Sequence, residues 1–373
     1  MKHVLYVIPF CPHPADSGGK VRILNTIKEL SKSNQLTILG FYDNEKEINE
    51  STLFFDKLKI KYTFIKLGKY KSIFLPTPYW FSNWYSPDII KHLKQLNFSE
   101  YNSVLVETSQ LLYLIDYFPK NTKTIFVAQD ISTVSFWRRL LEVNNFKKVI
   151  HFYRLAQVAL YEKKYLKLYK NVVVMSPNDK KLLNKLFKIT NSIISQNGTT
   201  KVDFMEKDIN NNLTLGYLGS STHSPNINTI KFITNNLAPI TSNKFIIAGS
   251  NNKYLDINQN NVKFIEFIPN TKEFYQHIDI LVAPIFSGSG SRIKIIESLS
   301  FGIPVITTPI GGEGIDIVNP YLSIVKDYNN PNAWTTKIKN VYKNIQKQDK
   351  RNLKKQLDQY LWSNTLKSVS QLL

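Results

Sequence analysis

Arg292, Lys294 and Glu297 follow a run of small residues, Ser287-Gly288-Ser289-Gly290-Ser291, and that order suits the binding of a phosphorylated ligand. Glycine and serine let a backbone approach an anion closely. The apolar run 280–286 before them reads as a buried strand. After them, Ile293, Ile296, Leu299 and Ser300 fall on one side of a helix. A helix start carries unsatisfied N–H groups and a positive dipole end, and Arg292 and Lys294 add cations there. A diphosphate is the simplest anion that fits. Glu297 lies about one and a half turns into the helix, where a carboxylate accepts hydrogen bonds from sugar or ribose hydroxyls. Gly302 suits a left-handed helix stop, residues 304–308 read as a second strand, and Ile310-Gly311-Gly312-Glu313-Gly314 closes the unit. Strand–helix–strand crossovers build parallel sheets whose ligand loops lie at the strand ends.

The rest of the chain supplies the elements that must hold such a site. Residues 4–10 read as a strand, 11–19 as a loop, 20–33 as a helix with Val21, Leu24, Ile27 and Leu30 on one stripe, and 36–42 as the next strand. That is the opening of a doubly wound domain. Further strands are expected at 103–107, 124–128, 172–176 and 192–195, with a long helical region at 137–169. The turn-forming cluster Gln196-Asn197-Gly198-Thr199 marks the domain boundary. Strands follow at 213–219, 244–248 and 262–267, and Pro225 fits the first position of a helix. The stretch 352–373 reads as an amphipathic helix through Leu353, Leu357, Leu361 and Leu366.

A length of 373 residues is room for two domains, and an apolar content of 43% is enough to fill two cores. One cysteine, Cys11, excludes an internal disulfide and points to a reducing, cytoplasmic setting. The apolar start resembles a signal peptide, but no small-residue cleavage site follows it. No run has the length of a transmembrane helix. A formal net charge of +20 calls for an anionic partner: nucleic acid, anionic lipid or an anionic small substrate. Zinc-type cysteine pairs and RNA-binding signatures are missing, which ranks nucleic acid below a membrane surface. Drift toward Lys, Asn and Ile accounts for the same charge without any partner.

The segment from Ser287 to Gly312 resembles the nucleotide-sugar-binding part of the retaining GT-B-fold glycosyltransferases of group 1, family 4 type. The fold implied is α/β: two doubly wound Rossmann-like domains facing a central cleft. The boundaries expected are 1–195 for an acceptor domain and 196–350 for a nucleotide-sugar domain. Residues 351–373 would form a terminal helix crossing back to the first domain. The resemblance implies donor contacts at Gly219, Ser220, Gly288, Ser289, Gly290, Ser291, Gly311 and Gly312. It also implies close backbone approach at Gly18 and Gly19. Many relatives carry two glutamates eight positions apart; here Glu297 holds the second place and Ser289 the first. Many also place an Arg and a Lys after the strand 213–219, where this chain has Ser220, Ser221, Thr222 and His223. Arg292 and Lys294 are the natural replacements.

Asp130 follows the strand 124–128, near where relatives have a His or Asp above the acceptor. It either orients an acceptor hydroxyl or caps the next helix. Arg138 could meet an anionic acceptor, and Arg22 would face the cleft if the apolar stripe faces the core. Ser176 and Asp179 read as a helix cap. The belt 57–85 mixes lysines with Phe74, Tyr79, Trp80, Phe81, Trp84 and Tyr85. It suits an anionic membrane interface first, since relatives often take lipid-linked acceptors; stacking on nucleic acid or sugar rings and a strand region with buried aromatics are the alternatives.

The expected activity is therefore transfer of a sugar from a nucleotide-diphosphate donor to a saccharide or lipid-linked hydroxyl, with retained configuration. Asp130, Arg292, Lys294 and Glu297 carry it. No metal-ligating cluster is visible, so neither a metal nor another cofactor is expected, the nucleotide sugar being a substrate. The expected place is the cytoplasm, with a peripheral position at the inner face of the membrane. A nucleotide-sugar epimerase on the same architecture and an inactive basic membrane- or nucleic-acid-binding protein are the rival readings.

Overall fold

The computed structural model describes every residue except 69–75, 144–146, 207–212, 222–223, 251–258, 267, 269, 288–291, 318–319 and 346–349. The chain divides into two compact units, Met1–Gln196 with Thr365–Leu373, and Asn197–Asn364.

Unit 1 begins with β1 (Lys2–Ile8), α1 (Gly18–Leu30), β2 (Asn34–Tyr42), α2 (Glu45–Lys57), β3 (Lys61–Lys66) and α3 (Pro87–Gln95). It continues with β4 (Ser103–Glu107), β5 (Thr124–Ala128), α4 (Ser132–Glu142), α5 (Lys147–Tyr165), β6 (Asn171–Val174), α6 (Pro177–Phe187) and β7 (Ser192–Ile194). The strands form one sheet in the order β3-β2-β1-β4-β5-β6-β7, with every pairing parallel. Val4 to Ile8 are wholly buried, as a central parallel strand covered on both faces requires. The strand order reverses between β1 and β4, so ligand loops belong at the carboxyl ends of these two strands.

Unit 2 holds β8 (Thr214–Leu218), α7 (Ser224–Phe232), β9 (Lys244–Ala248), β10 (Val262–Ile265), α8 (Thr271–Gln276), β11 (Ile280–Ala283) and α9 (Ile293–Ser300). Then come β12 (Val305–Thr307), β13 (Leu322–Ile324), α10 (Pro331–Ile345), α11 (Lys350–Asp358) and α12 (Trp362–Thr365), the last ending at the unit boundary. Its sheet runs β10-β9-β8-β11-β12-β13, again all parallel. The reversal falls between β8 and β11. Each unit has its own apolar core, built on its own sheet.

Two expectations change, and a third divides between its alternatives. The long helical region 137–169 is two helices, α4 and α5, followed by a short 3-10 turn at Leu166–Leu168. The terminal helix expected over 351–373 is broken into α11, α12 and α13 (Lys367–Leu372), and only the part from Thr365 belongs to unit 1. The break has a local cause. Thr199 N–H donates to the Tyr360 carbonyl at 2.7 Å and Trp362 N–H to the Thr199 carbonyl at 3.0 Å, which pulls this stretch into a bridge. A Cβ on Gly198 would lie 2.5 Å from the Tyr360 carbonyl oxygen, so only glycine fits beside it. In the 57–85 belt, Phe81 is buried, and the Trp84 indole N–H donates to the Pro9 carbonyl at 2.8 Å. Phe81 and Trp84 therefore pack unit 1, whereas Trp80 is 38% exposed; Lys69, Lys71 and Phe74 lie outside the described residues.

Candidate functional site

In unit 2 the reversal point gathers the turn after β8 and the start of α9. Gly219 N–H donates to the Ala248 carbonyl at 2.8 Å, which closes the turn onto the neighbouring strand. Gly249 opposite has φ +149°, and a Cβ there would lie 2.3 Å from the Gly219 oxygen. Asn226, on α7, spans the turn: its amide donates to the Ser220 carbonyl at 2.9 Å and its Oδ1 accepts from the Tyr217 hydroxyl at 2.8 Å. Ser220 Oγ donates to the Ser250 carbonyl at 2.8 Å.

Lys294 completes this group. Its ammonium lies 3.1 Å from the Tyr217 hydroxyl and 3.4 Å from Asn226 Oδ1, and 4.4 Å from the centre of the Tyr217 ring. No carboxylate lies in salt-bridge range of it among the described residues. Burial, and secondarily the Arg292 charge, bring its pKa down from 10.5 to about 7. Burial raises the Tyr217 phenol, while the Arg292 charge acts the other way. Arg292 is the N-cap residue of α9 and adds no side-chain cap. By helix geometry the N–H groups of Ile293 and Lys294 have no acceptor within the helix. Two cations and a helix amino end therefore stand beside a glycine turn. That is a setting for an anion with two charges to neutralise.

Glu297 sits on the same helix, where Thr271 Oγ donates to it at 2.6 Å and the Tyr275 hydroxyl at 3.3 Å. Burial raises its pKa, and these two hydrogen bonds offset part of the rise. Gly288, Ser289, Gly290 and Ser291 lie outside the described residues. Gly311 has a packing reason to be glycine: a Cβ would stand 1.9 Å from Thr307 Oγ1. Thr307 Oγ1 in turn donates to the Ala283 carbonyl at 2.6 Å, and Thr308 Oγ1 donates to that of Ile285 while accepting from Gly311 N–H. These bonds tie the loop after β12 to the end of β11. Beside it, a Cβ on Gly312 would meet Ile324 at 2.7 Å.

Unit 1 has a second polar cluster at its own reversal point. Glu107, the last residue of β4, is fully buried and accepts from the Tyr6 hydroxyl and, at 2.9 Å, from the Gln129 amide. The same amide reaches the Gly19 carbonyl at 3.4 Å, and a Cβ on Gly19 would lie 2.9 Å from Gln129 Oε1. Gly18 and Gly19 are the first residues of α1, capped by Ser17 without a side-chain bond. Burial raises the Glu107 pKa, and the Arg22 charge lowers it in part.

Arg22, expected to face a ligand, is buried instead at 1% exposure. It donates to Ser195 Oγ at 3.1 Å and to the Gln196 carbonyl at 3.3 Å. The core stripe of α1 runs through Ile23, Leu24, Ile27 and Leu30, with Val21 half-exposed. That rotation, by one position, carries Arg22 inward to the Glu107 charge. Asp130 accepts from Ser135 Oγ at 2.9 Å and Ser132 Oγ at 3.5 Å, a helix-start arrangement. Arg138 is half-buried on α4.

The stronger cap on α4 comes from a residue the sequence did not suggest. Glu162, buried on α5, accepts from the N–H groups of Ser132 and Thr133, both at 2.9 Å, and from the hydroxyls of Ser109 and Thr133. Glu107, Gln129 and Tyr217 also escaped a role. A carboxylate closing the apolar run Ser103–Glu107 is the one signal that pointed to Glu107.

Two doubly wound units with all-parallel sheets are the α/β composition of the GT-B fold, which the solved structures below share. Residues 212–344, most of unit 2, match the family described as Glycosyl transferases group 1. Solved structures agree over the whole length. Sucrose-phosphate synthase from Thermosynechococcus elongatus superposes with a TM-score of 0.74 at 14% identity, over 100% of this chain and 98% of that one. HepE of Anabaena in complex with UDP-glucose gives 0.68 at 12% identity, over 100% of both chains. WaaG, a glycosyltransferase of lipopolysaccharide biosynthesis, gives 0.66 at 13% identity over 99% of both. A sequence search of curated proteins returns no match.

Proposed function

We propose that this chain transfers a sugar from a nucleotide-diphosphate sugar to a hydroxyl of a saccharide or lipid-linked acceptor, with retention of configuration and without a metal. The observation that carries the reading is the Lys294 ammonium, held against Tyr217 and Asn226 beside the Gly219 turn. Breaking the bond from the anomeric carbon to the diphosphate places negative charge on the leaving oxygen. Lys294, Arg292 and the amino end of α9 stabilise that charge where it develops. These cations take the part that a divalent ion would play. The acceptor oxygen bonds to the anomeric carbon on the face the diphosphate leaves, and its proton passes to a diphosphate oxygen. No protein nucleophile is needed.

Glu297 is the hydroxyl-binding carboxylate in this reading. Thr271 and Tyr275 occupy part of its acceptor capacity and fix its orientation, and its remaining lone pairs accept from donor hydroxyls. Asp130 and Arg138 belong to the acceptor side. The match of unit 2 to the group 1 family and the UDP-glucose complex of HepE support a nucleotide-sugar donor.

A panel of nucleotide sugars, with and without simple saccharide acceptors and in the presence of EDTA, tests this. Slow donor hydrolysis that becomes transfer when acceptor is added, lost in Arg292→Ala and Glu297→Ala, is the expected result. Isomerised sugar would establish an epimerase instead. Loss of turnover with EDTA, restored by a divalent metal, would remove the metal-free mechanism.

A further inference from the structure

We infer that the solvent side of the α4–α5 pair in unit 1 docks on an anionic lipid bilayer. Helix α5 buries Leu155, Val158, Tyr161 and Tyr165 against the core. At about 100° per residue, Val149, Phe152, Tyr153 and Leu160 fall on the opposite side. Those four side chains are 73%, 60%, 58% and 68% exposed. A helix packed on one face ordinarily turns a polar face to water, whereas the middle of α5 turns these apolar side chains to it and keeps its exposed lysines at its two ends. On α4, Trp137 and Leu141 stand one turn apart at 50% and 61% exposure. Single exposed apolar residues are commonplace, whereas a concentration of them marks an interaction surface.

The charges around this surface select the partner. Residues 132–165 contain seven Lys or Arg and two Glu. One of these, Glu162, is buried and turned onto the start of α4. Lys147 and Lys148 are exposed at the beginning of α5, and Lys163 and Lys164 at its end. Cations thus bracket the apolar stripe, and lysine stems can lie along apolar surface while their ammonium groups reach headgroup phosphates. The Arg154 guanidinium lies 3.8 Å from the centre of the Trp80 ring, adding a further cation–aromatic pair to the same helix. A nucleic acid would use the cations but leave Val149 and Leu160 in water. A second copy of the chain would set one positive face against an identical one. An anionic bilayer satisfies both the apolar stripe and the charge. Among the described residues no helix is long and apolar enough to cross a membrane, so the contact is interfacial.

The inference does not depend on the transferase reading, and its test needs no substrate. The full-length chain is sedimented with vesicles of phosphatidylcholine alone and of phosphatidylcholine mixed with phosphatidylglycerol, at low and high salt. Binding to the anionic vesicles that weakens with salt is expected. The combined Val149→Ser, Phe152→Ser and Leu160→Ser variant should bind at least about tenfold more weakly. Lys147→Gln with Lys148→Gln should cost about fivefold per cation removed. All these positions are exposed, so circular dichroism should show an unchanged fold. Wild-type protein that ignores anionic vesicles, or variants that bind as the wild type does, would overturn the inference. So would a triple variant that loses self-association on a sizing column and keeps its vesicle binding.

Discussion

Lys294 ties the electrostatics of unit 2 to a pH dependence that can be measured directly. In the ligand-free chain its pKa is about 7, lowered first by burial and then by Arg292. In the proposed binding mode a diphosphate favours the ammonium form, so binding would draw a proton onto Lys294 wherever the free protein has lost it. Below pH 7 the lysine is already charged and its contribution to affinity is flat. Above pH 7 affinity for the diphosphate falls by about tenfold per pH unit, for as long as the bound-state pKa stays higher. From pH 6 to pH 9 the weakening attributable to this one group is about 90-fold. The ligand-free fold responds in the opposite direction. An unfolded chain, with its lysine at the ordinary 10.5, holds the extra proton above pH 7, so this group's contribution to stability improves as pH rises from about 7 toward 10.5.

Calorimetric titration with UDP provides the assay. UDP titrates on its own account, so the quantity of interest is the difference between the wild type and Lys294→Met, which keeps the side-chain volume and removes the charge. Near pH 8, buffers of different ionisation enthalpy should report uptake of about 0.9 proton by the wild type beyond that seen with the variant. The variant should bind more weakly at pH 6 and lose little further affinity up to pH 9. Equal pH slopes in the two proteins, or no excess proton uptake, would refute the assignment of Lys294 as the diphosphate's partner.

Other perturbations test the scaffold. Glu162→Ala removes the acceptor for Ser109, Ser132 and Thr133 in a buried place and should cost about 3 kcal/mol in urea unfolding, with Glu162→Gln recovering much of it; an alanine variant as stable as the wild type would show the cap to be idle. Gly311→Ala drives a Cβ into Thr307 Oγ1 and should destabilise by about 1–3 kcal/mol. Adding Thr307→Ala should recover part of that loss in thermal melts, and no recovery would place the strain elsewhere. Gln129→Ala releases both the Glu107 carboxylate and the Gly19 carbonyl, and hydrogen exchange at the start of α1 should rise several-fold. Unchanged protection there would mean that Gln129 does not hold the loop.

Which features could be read in advance follows from the range of the interactions involved. Apolar runs such as Ser103–Glu107, Thr124–Ala128 and Lys244–Ala248 announce buried strands because both faces of each are covered, and that pattern is local. The meeting of Arg292, Lys294 and Glu297 on the first turns of α9 is equally local, since helix geometry alone puts them there. The Lys294–Tyr217 contact is different: its partners are 77 positions apart and meet only because β8 lies beside β11. No periodicity within either strand encodes that neighbour. Arg22 shows the cost of reading a stripe without its surroundings. A charge in an apolar pattern reads as solvent-facing, yet Ser195, 173 positions away, and the buried Glu107 together make its inward rotation affordable. Buried charge is legible only once both partners are placed, which makes sheet order, more than helix periodicity, the missing term at each of these sites.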